Sequence, residues 1–322
     1  MIEYRSFHNS DPPRILQLWH SSSLGPNAAE GFGCDIMELF TFSQPYFDRK
    51  GFIVATVDRR IVGMVHAGFP ANSDESALDK TRGLLCGLIV HPDFRRQGIG
   101  RELVRRAEDY LRAAGATTVE AGAGGEANGF YVGIYGGLQP SGFSAADAPW
   151  QEFFTAMGYG PGTETLIMRR DLAKTRDPVS SRLLRARRNV NMVITDRVSD
   201  NTWWWFSRFG HLDSLRFELR ENGTTRTVAH GQIIGMDVFI PKWGVRAVGI
   251  RDVFVPEEFR RQAYGLSLVL DICRRLRDET IHLVESHVDA TNTAAEQLFR
   301  QARFECTDRL VTFRRSLISS EG

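Results

Sequence analysis

The sequence predicts a mixed α/β fold built twice in one chain, and three observations carry that expectation. At 322 residues the chain is long enough for two domains of ordinary size, each burying its own core. Residues 90–100 read Val-His-Pro-Asp-Phe-Arg-Arg-Gln-Gly-Ile-Gly and residues 255–265 read Val-Pro-Glu-Glu-Phe-Arg-Arg-Gln-Ala-Tyr-Gly, so Val, Phe, Arg, Arg, Gln and the last Gly recur at an offset of 165. Each copy follows a β-branched run (84–90; 248–255) and opens a helical one (101–114; 266–277), which makes it a strand, a tight loop and a helix N-terminus.

In the first half, residues 2–7 form a short strand and 13–20 a helix behind Asp11, with a second helical pattern at 35–42. Residues 51–57 and 61–68, separated by Asp58-Arg59-Arg60, read as a hairpin that leads into the motif strand. The helix over 101–114 places Leu103, Val104, Ala107, Tyr110 and Leu111 on one face and stops at Gly115. A strand at 117–121, a helix at 150–157 and a strand at 164–170 complete this half.

The second half repeats the order with a reduced start: strand 190–195, helix 201–209, then a hairpin of 215–220 and 226–238 around Asn222-Gly223. The motif strand, helix 266–277, strand 281–288, helix 293–302 and strand 307–314 follow. Two further matches fix the register: Ile61-Val-Gly-Met64 with Ile233-Ile-Gly-Met236, and Met168-Arg-Arg-Asp-Leu172 with Phe313-Arg-Arg-Ser-Leu317. Their offsets of 172 and 145 make the first copy 20 residues longer after the motif, which locates an insertion at about 122–148. The expected division is a first domain at 1–172, a linker at 173–189 and a second domain at 190–322. The linker's Arg182, Arg185, Arg187 and Arg188 read as a solvated helix face.

The repeated loop has the chemistry of a phosphate cradle. Backbone N–H groups converge at a helix N-terminus, whose dipole favours an anion. Gly98 and Gly100 let the backbone take positive φ and approach a pyrophosphate closely, and Arg95, Arg96 and Gln97 are expected to add donors at the rim. The spacing Arg-x-x-Gly-x-Gly is neither the dinucleotide fingerprint nor the loop of nucleotide hydrolases. It resembles motif A of the GNAT superfamily, the acyl-CoA-dependent N-acyltransferases. Arg95, Gly98 and Gly100 match that motif in full; Arg260 and Gly265 match in the second copy, where Ala263 replaces the first glycine. If position 263 requires positive φ, alanine costs about 1–2 kcal/mol there.

The resemblance covers nearly the whole chain and implies a tandem GNAT protein, with a layout similar to mycothiol synthase. It implies α/β (α+β) domains, each a mixed, splayed β-sheet flanked by helices, with acetyl-CoA as acyl donor. Leu88, Ile89 and Val90 would then hold the pantetheine and acyl carbonyl, and Arg95, Arg96, Gln97, Gly98, Ile99, Gly100 and Arg101 the pyrophosphate. A second possible cofactor site comprises Val253, Val255, Arg260, Arg261, Gln262, Ala263, Tyr264, Gly265 and Asn292. In this superfamily a tyrosine ending Asn-x-x-Ala-x-x-x-Tyr commonly protonates the departing sulfur. That motif runs here from Asn292 through Ala295 to Phe299, and the first half carries Phe154 at the corresponding place, so both lack the hydroxyl. Asn128 and Tyr135 have the same spacing inside the insertion, which makes Tyr135 the candidate acid, with a packed aromatic as the competing role. Glu126 is the candidate base; such a base is worth about 10²–10⁴-fold for an amine protonated at neutral pH.

Other features point to structure. His91 reads as loop structure, Trp203-Trp204-Trp205-Phe206 as core and interface, and Arg251-Asp252 as a ligand-facing or interface pair. Cys34, Cys86, Cys273 and Cys306 form no CxxC pair and indicate neither disulfides nor a metal site; Cys86 and Cys273 are expected to be buried. A net charge of +1 gives no electrostatic case for nucleic acid or an anionic membrane. No apolar run approaches the ~18 residues of a membrane helix, and a cytoplasmic protein is expected. The leading expectation is acetyl transfer to a primary amine on a small molecule or peptide, with the first domain active. The competing readings are an active second domain, as in mycothiol synthase, and an acyl-CoA-binding protein without turnover.

Overall fold

The hairpins, the repeated strand–loop–helix units and the two terminal strands all form, and they join into one sheet. The computed structural model describes residues 1–122, 127–196 and 202–318. The first half runs β1 (Glu3–Ser6), α1 (Pro12–Ser21), α2 (Cys34–Met37), β2 (Phe52–Val57), β3 (Arg60–Gly68), β4 (Arg82–Val90), α3 (Ile99–Ala113), β5 (Thr118–Ala121), β6 (Phe143–Ser144), α4 (Ala148–Ala156) and β7 (Gly160–Asp171). After α5 (Ser181–Arg188) come β8 (Val190–Thr195), α6 (Trp203–Phe209), β9 (Ser214–Glu221), β10 (Thr227–Gly235), α7 (Ile240–Trp243), β11 (Ala247–Phe254), α8 (Tyr264–Asp278), β12 (Leu283–Asp289), α9 (Thr293–Gln301) and β13 (Glu305–Ser316).

Local sequence explains these elements. Asp58 and Arg59, at φ +47° and +67°, give the β2–β3 hairpin a turn whose hand matches strand twist. In α3 the buried Ile99, Leu103, Val104, Ala107 and Leu111 form one stripe against the sheet. The arginine-rich α5 is more than a tether: Ser180 caps it, Leu183 and Ala186 are buried, and Arg187 pairs with Asp271 of α8 at 2.9 Å. Arg182, Arg185 and Arg188 are exposed as expected.

The sheet order is β1-β2-β3-β4-β5-β13-β7-β12-β11-β10-β9-β8, with β6 pairing β13. The last strand of each half therefore completes the other half. Strand β13 lies antiparallel between β5 and β7, and β7 in turn pairs with β12. The same charge pair marks both crossings: Arg314 faces Glu120 in register at 3.1 Å, and Arg169 faces Glu285 at 2.7 Å. The cores follow the exchange. Phe313 and Leu317 pack with Leu103, Leu111 and Phe154, whereas Leu166, Met168 and Leu172 pack with Leu268 and Val284. No described helix is long and apolar enough to cross a membrane.

The insertion packs between the halves. Phe130, Val132 and Ile134 share a third core with Trp205, Phe209 and Phe239. Arg208 of α6 donates from Nε to the Asn128 carbonyl at 3.1 Å, and Tyr46 donates to the Gly129 carbonyl at 2.6 Å. Trp204 and Trp205 are buried in this region, so the tryptophan run serves core and interface.

Candidate functional site

Both repeated loops take the same backbone course. Gly98 and Ala263, each preceding its helix, sit in the left-handed region at φ +81° and +67°, and Arg96 and Arg261 lie there too at +62° and +60°. The residues identical between the copies brace this course. Arg95 donates from Nε to the Val90 carbonyl at 3.0 Å, as Arg260 does to Val255 at 3.1 Å. Gln97 and Gln262 donate to the carbonyls of Asp93 and Glu258 at 3.3 and 3.1 Å. Arg95 also reaches the Ser22 carbonyl at 2.9 Å. Arg95 and Gln97 thus brace the loop; Arg95 also lines the cleft described below, and Gln97 is not among its lining residues. The first amides of α3 have no preceding helical carbonyl and remain the donors such a cradle needs.

A cleft of about 780 Å³ runs from this loop along β4. Its walls include Leu88, Ile89, Val90, Arg95, Arg96, Gly98, Ile99, Gly100 and Arg101, so most of the expected first-half residues converge there. The cleft follows from sheet geometry. Strand β4 pairs with β5 from Arg82↔Thr118 to Leu85↔Ala121 and then diverges, while a bulge against β3 at Cys86 turns it away. Cys86 is partly buried, packs against the core as expected and also lines the cleft, and burial pushes its thiol pKa upward. Cys273 is buried as expected.

Tyr131 and Tyr135 line the far end, together with Trp19 and Asn128. Asn128 and Tyr135 do not share a helix. Asn128 accepts from the Phe130 amide at 2.9 Å, and Tyr135 ends a turn closed by its amide donating to the Tyr131 carbonyl at 2.9 Å. The spacing that singled out Tyr135 thus has a different structural cause, although the residue does reach the cleft. Burial, with Asp147 and Asp308 adding, pushes the Tyr135 phenol up to about 12. Phe154 and Phe299 are buried at matching positions of α4 and α9. Glu126 lies outside the described residues.

Sequence reasoning passed over His66. It is 0% exposed on β3, with its ring among Phe47, Phe52 and Phe130 and its Nδ1 3.0 Å from Tyr131 Oη. Burial pushes its pKa down to about 3, so the imidazole is neutral. The available signal was one polar residue within the otherwise apolar run 61–68. His91, by contrast, is loop structure as expected: Nδ1 accepts from the Asp93 amide and Nε2 lies 2.8 Å from Arg60.

The equivalent gap in the second half is built over. Strand β11 pairs with β12 from Ala247↔Leu283 to Gly249↔Glu285. Across this pair lies the insertion from the first half. Leu138 packs on Gly249, its amide donates to Glu285 Oε1 at 2.8 Å, and Ser141 Oγ meets His287 Nδ1 at 2.9 Å. Burial alone would raise the Glu285 carboxyl pKa, but His287, Arg169 and the Leu138 amide outweigh it and hold it below the ordinary value. Beside this gap Arg251 stacks on Phe209 at 4.1 Å and pairs with Asp252 at 2.8 Å, both contacts within the second half. In the second loop Tyr264 and Gly265 are buried, Gly265 against Val255 and Leu298. Val253 packs against the second-half core, and Asn292 caps α9 by accepting from the Ala295 amide at 3.0 Å.

Residues 18–133 and 191–304 each match the acetyltransferase (GNAT) family. An acetyltransferase of Pectobacterium atrosepticum is 29% identical over 144 residues, which are 43% of this chain and 86% of that protein. One of Yersinia enterocolitica is 31% identical over 120 residues, covering 35% of this chain and 70% of that protein. Among solved structures, a tandem GNAT protein from the clavulanic acid biosynthesis pathway aligns over 100% of both chains with a TM-score of 0.70 and 18% identity. A GCN5-related N-acetyltransferase from Sphaerobacter thermophilus aligns over 98% of this chain and 96% of its own, with a TM-score of 0.63 and 16% identity. At these identities the structural likeness is one of fold.

Proposed function

The chain belongs to the acetyltransferase (GNAT) family and is an acyltransferase; from that premise we propose that its first half moves an acetyl group from acetyl-CoA to a primary amine. The observation that carries the choice of half is the asymmetry of the two sheet gaps. The first opens into the 780 Å³ cleft, and the second is covered by Leu138 and Ser141 of the insertion.

The cleft fits the donor by shape and polarity. Gly98 gives the loop a positive φ at the helix entry, and the first amides of α3 point where a pyrophosphate would bind. Arg96 and Arg101, both on the wall, add positive charge. The diverging edge of β4 at Leu88, Ile89 and Val90 would hold the pantetheine, and its amides would orient the acyl carbonyl. When bound, acetyl-CoA supplies an activated thioester. The chain's part is to place the carbonyl, exclude water and handle two protons, one leaving the acceptor nitrogen and one reaching the sulfur. Tyr131 and Tyr135 bring the phenols to the far end, and Glu126 stays the proposed base.

Free-thiol release from acetyl-CoA across a panel of primary amines tests this reading. Amine-dependent release that Gly98→Asp abolishes and Ala263→Asp leaves intact is the expected result. Release that depends on Ala263 instead would assign the reaction to the second half, and acetyl-CoA binding without release under any amine would favour a binding protein.

A further inference from the structure

Tyr131 has φ +63°, a region in which side chains other than glycine are strained. Two hydrogen bonds fix it there: its amide donates to the Phe40 carbonyl at 3.0 Å, and its carbonyl accepts from the Tyr135 amide at 2.9 Å. The strain puts the phenol in one place. The ring stacks on Trp19 with centroids 6.0 Å apart, and a Cβ added to Gly87 would stand 3.3 Å from Tyr131 Oη. The hydroxyl thus lies against β4 just beyond Leu85, where that strand leaves β5. Tyr135 stands one turn on, edge to face with Trp19 at 6.3 Å.

His66 pairs with Gly87 across β3 and β4, which places its Nδ1 3.0 Å from the same hydroxyl. Its Nε2 is buried and has no hydrogen-bond partner among the described residues. The rings of Phe47, Phe52 and Phe130 around it offer no conventional acceptor. A buried N–H without an acceptor is a rarer and costlier state than a bare lone pair. The imidazole proton accordingly belongs on Nδ1, directed at Tyr131 Oη. The phenol oxygen then accepts from His66 and turns its own proton toward the cleft.

Resting on the reading that the first-half cleft carries acetyl transfer, we propose that Tyr131, and not Tyr135, delivers the proton to the departing sulfur, with His66 as the positioning residue that keeps that proton on the cleft side. As the C–S bond breaks with its electron pair on sulfur, the Oη proton passes to sulfur and leaves a phenolate held by the Nδ1–H of His66. The proton lost from the acceptor nitrogen as the C–N bond forms is taken by the base and passed on through water to that phenolate, so base and tyrosine both end as they began. The strained turn, Gly87 and the buried histidine then share one purpose, a phenol fixed at the point of divergence.

The test combines ¹⁵N-histidine NMR on the unmodified chain with kinetics and calorimetry on variants. The spectrum is expected to show neutral His66 protonated at Nδ1; protonation at Nε2 would mean that Tyr131 gives its proton to His66 and would overturn the proposal without any activity measurement. Tyr131→Phe is expected to lower kcat for thiol release from acetyl-CoA by about 10²-fold or more, with the Kd for acetyl-CoA within twofold. His66→Leu should lower kcat, and His66→Asn, which restores a donor near Nδ1, should recover part of it. If Tyr131→Phe turns over like the parent chain while Tyr135→Phe does not, the assignment is wrong. If acetyl-CoA does not bind the unmodified chain, the wider reading fails instead.

Discussion

Arg169 donates from Nε to Glu285 Oε2 at 2.7 Å, joining the last strand of the first half to the sheet of the second. Glu285 is fully buried and also accepts from Leu138 of the insertion, so one carboxylate ties together the strand exchange and the covering of the second gap. Arg169→Met removes one of the groups that hold this carboxylate and leaves it His287 and the Leu138 amide, so it is expected to destabilise the chain by about 1–3 kcal/mol, read as a lowered urea midpoint. A change within ~0.5 kcal/mol would show that the pair contributes little.

Phe313 belongs by sequence to the second half and by packing to the first. Phe313→Ala is expected to cost about 3–5 kcal/mol and to loosen the surroundings of Trp150, which shares the first-half core. Hydrogen exchange should accelerate first in α3 and α4. Faster exchange confined to α8 and α9 would contradict the exchanged topology.

The two loops predict opposite substitutions. A Cβ on Gly98 would touch nothing within 4 Å and Ala263 already holds the same course, so Gly98→Ala meets only the backbone penalty and is expected to lower stability by about 1–2 kcal/mol. Ala263→Gly relieves the same strain at φ +67° and should raise stability by up to about 1 kcal/mol without changing the affinity for acetyl-CoA. Calorimetry and thermal unfolding on the two variants separate these effects.

Acid should weaken the fold in two windows. His66 is held neutral down to about pH 3, whereas in the unfolded chain it takes a proton near 6.5. Below that value the unfolded state binds more protons, so stability falls by about 1.4 kcal/mol per pH unit from this group. Glu285 has a lowered carboxyl pKa, and its contribution is present above about pH 4.3 and lost as the pH falls through the folded value. His66→Leu should flatten the slope between pH 6 and 4.5 and leave the lower window in place. Equal slopes in both chains would show that His66 does not resist protonation in the fold.

The repeated loop was legible because its identical residues, Arg95 and Arg260 with Gln97 and Gln262, perform the same bracing in both halves. The element order was legible from periodicity. The strand exchange was not, because Met168-Arg-Arg and Phe313-Arg-Arg carry the same pattern and each fits either sheet. The site chemistry was legible only in part. Tyr135 was singled out by a helical spacing that the chain realises as a turn, while His66 sat silent in an apolar strand whose partner comes from 65 residues away.

If one half of the chain holds the acyl donor, the binding stoichiometry of acetyl-CoA shows it directly. Titration calorimetry on the unmodified chain is expected to give one site per chain, abolished by Gly98→Asp and untouched by Ala263→Asp. Two equivalent sites, or a single site that survives Gly98→Asp and disappears with Ala263→Asp, would contradict it.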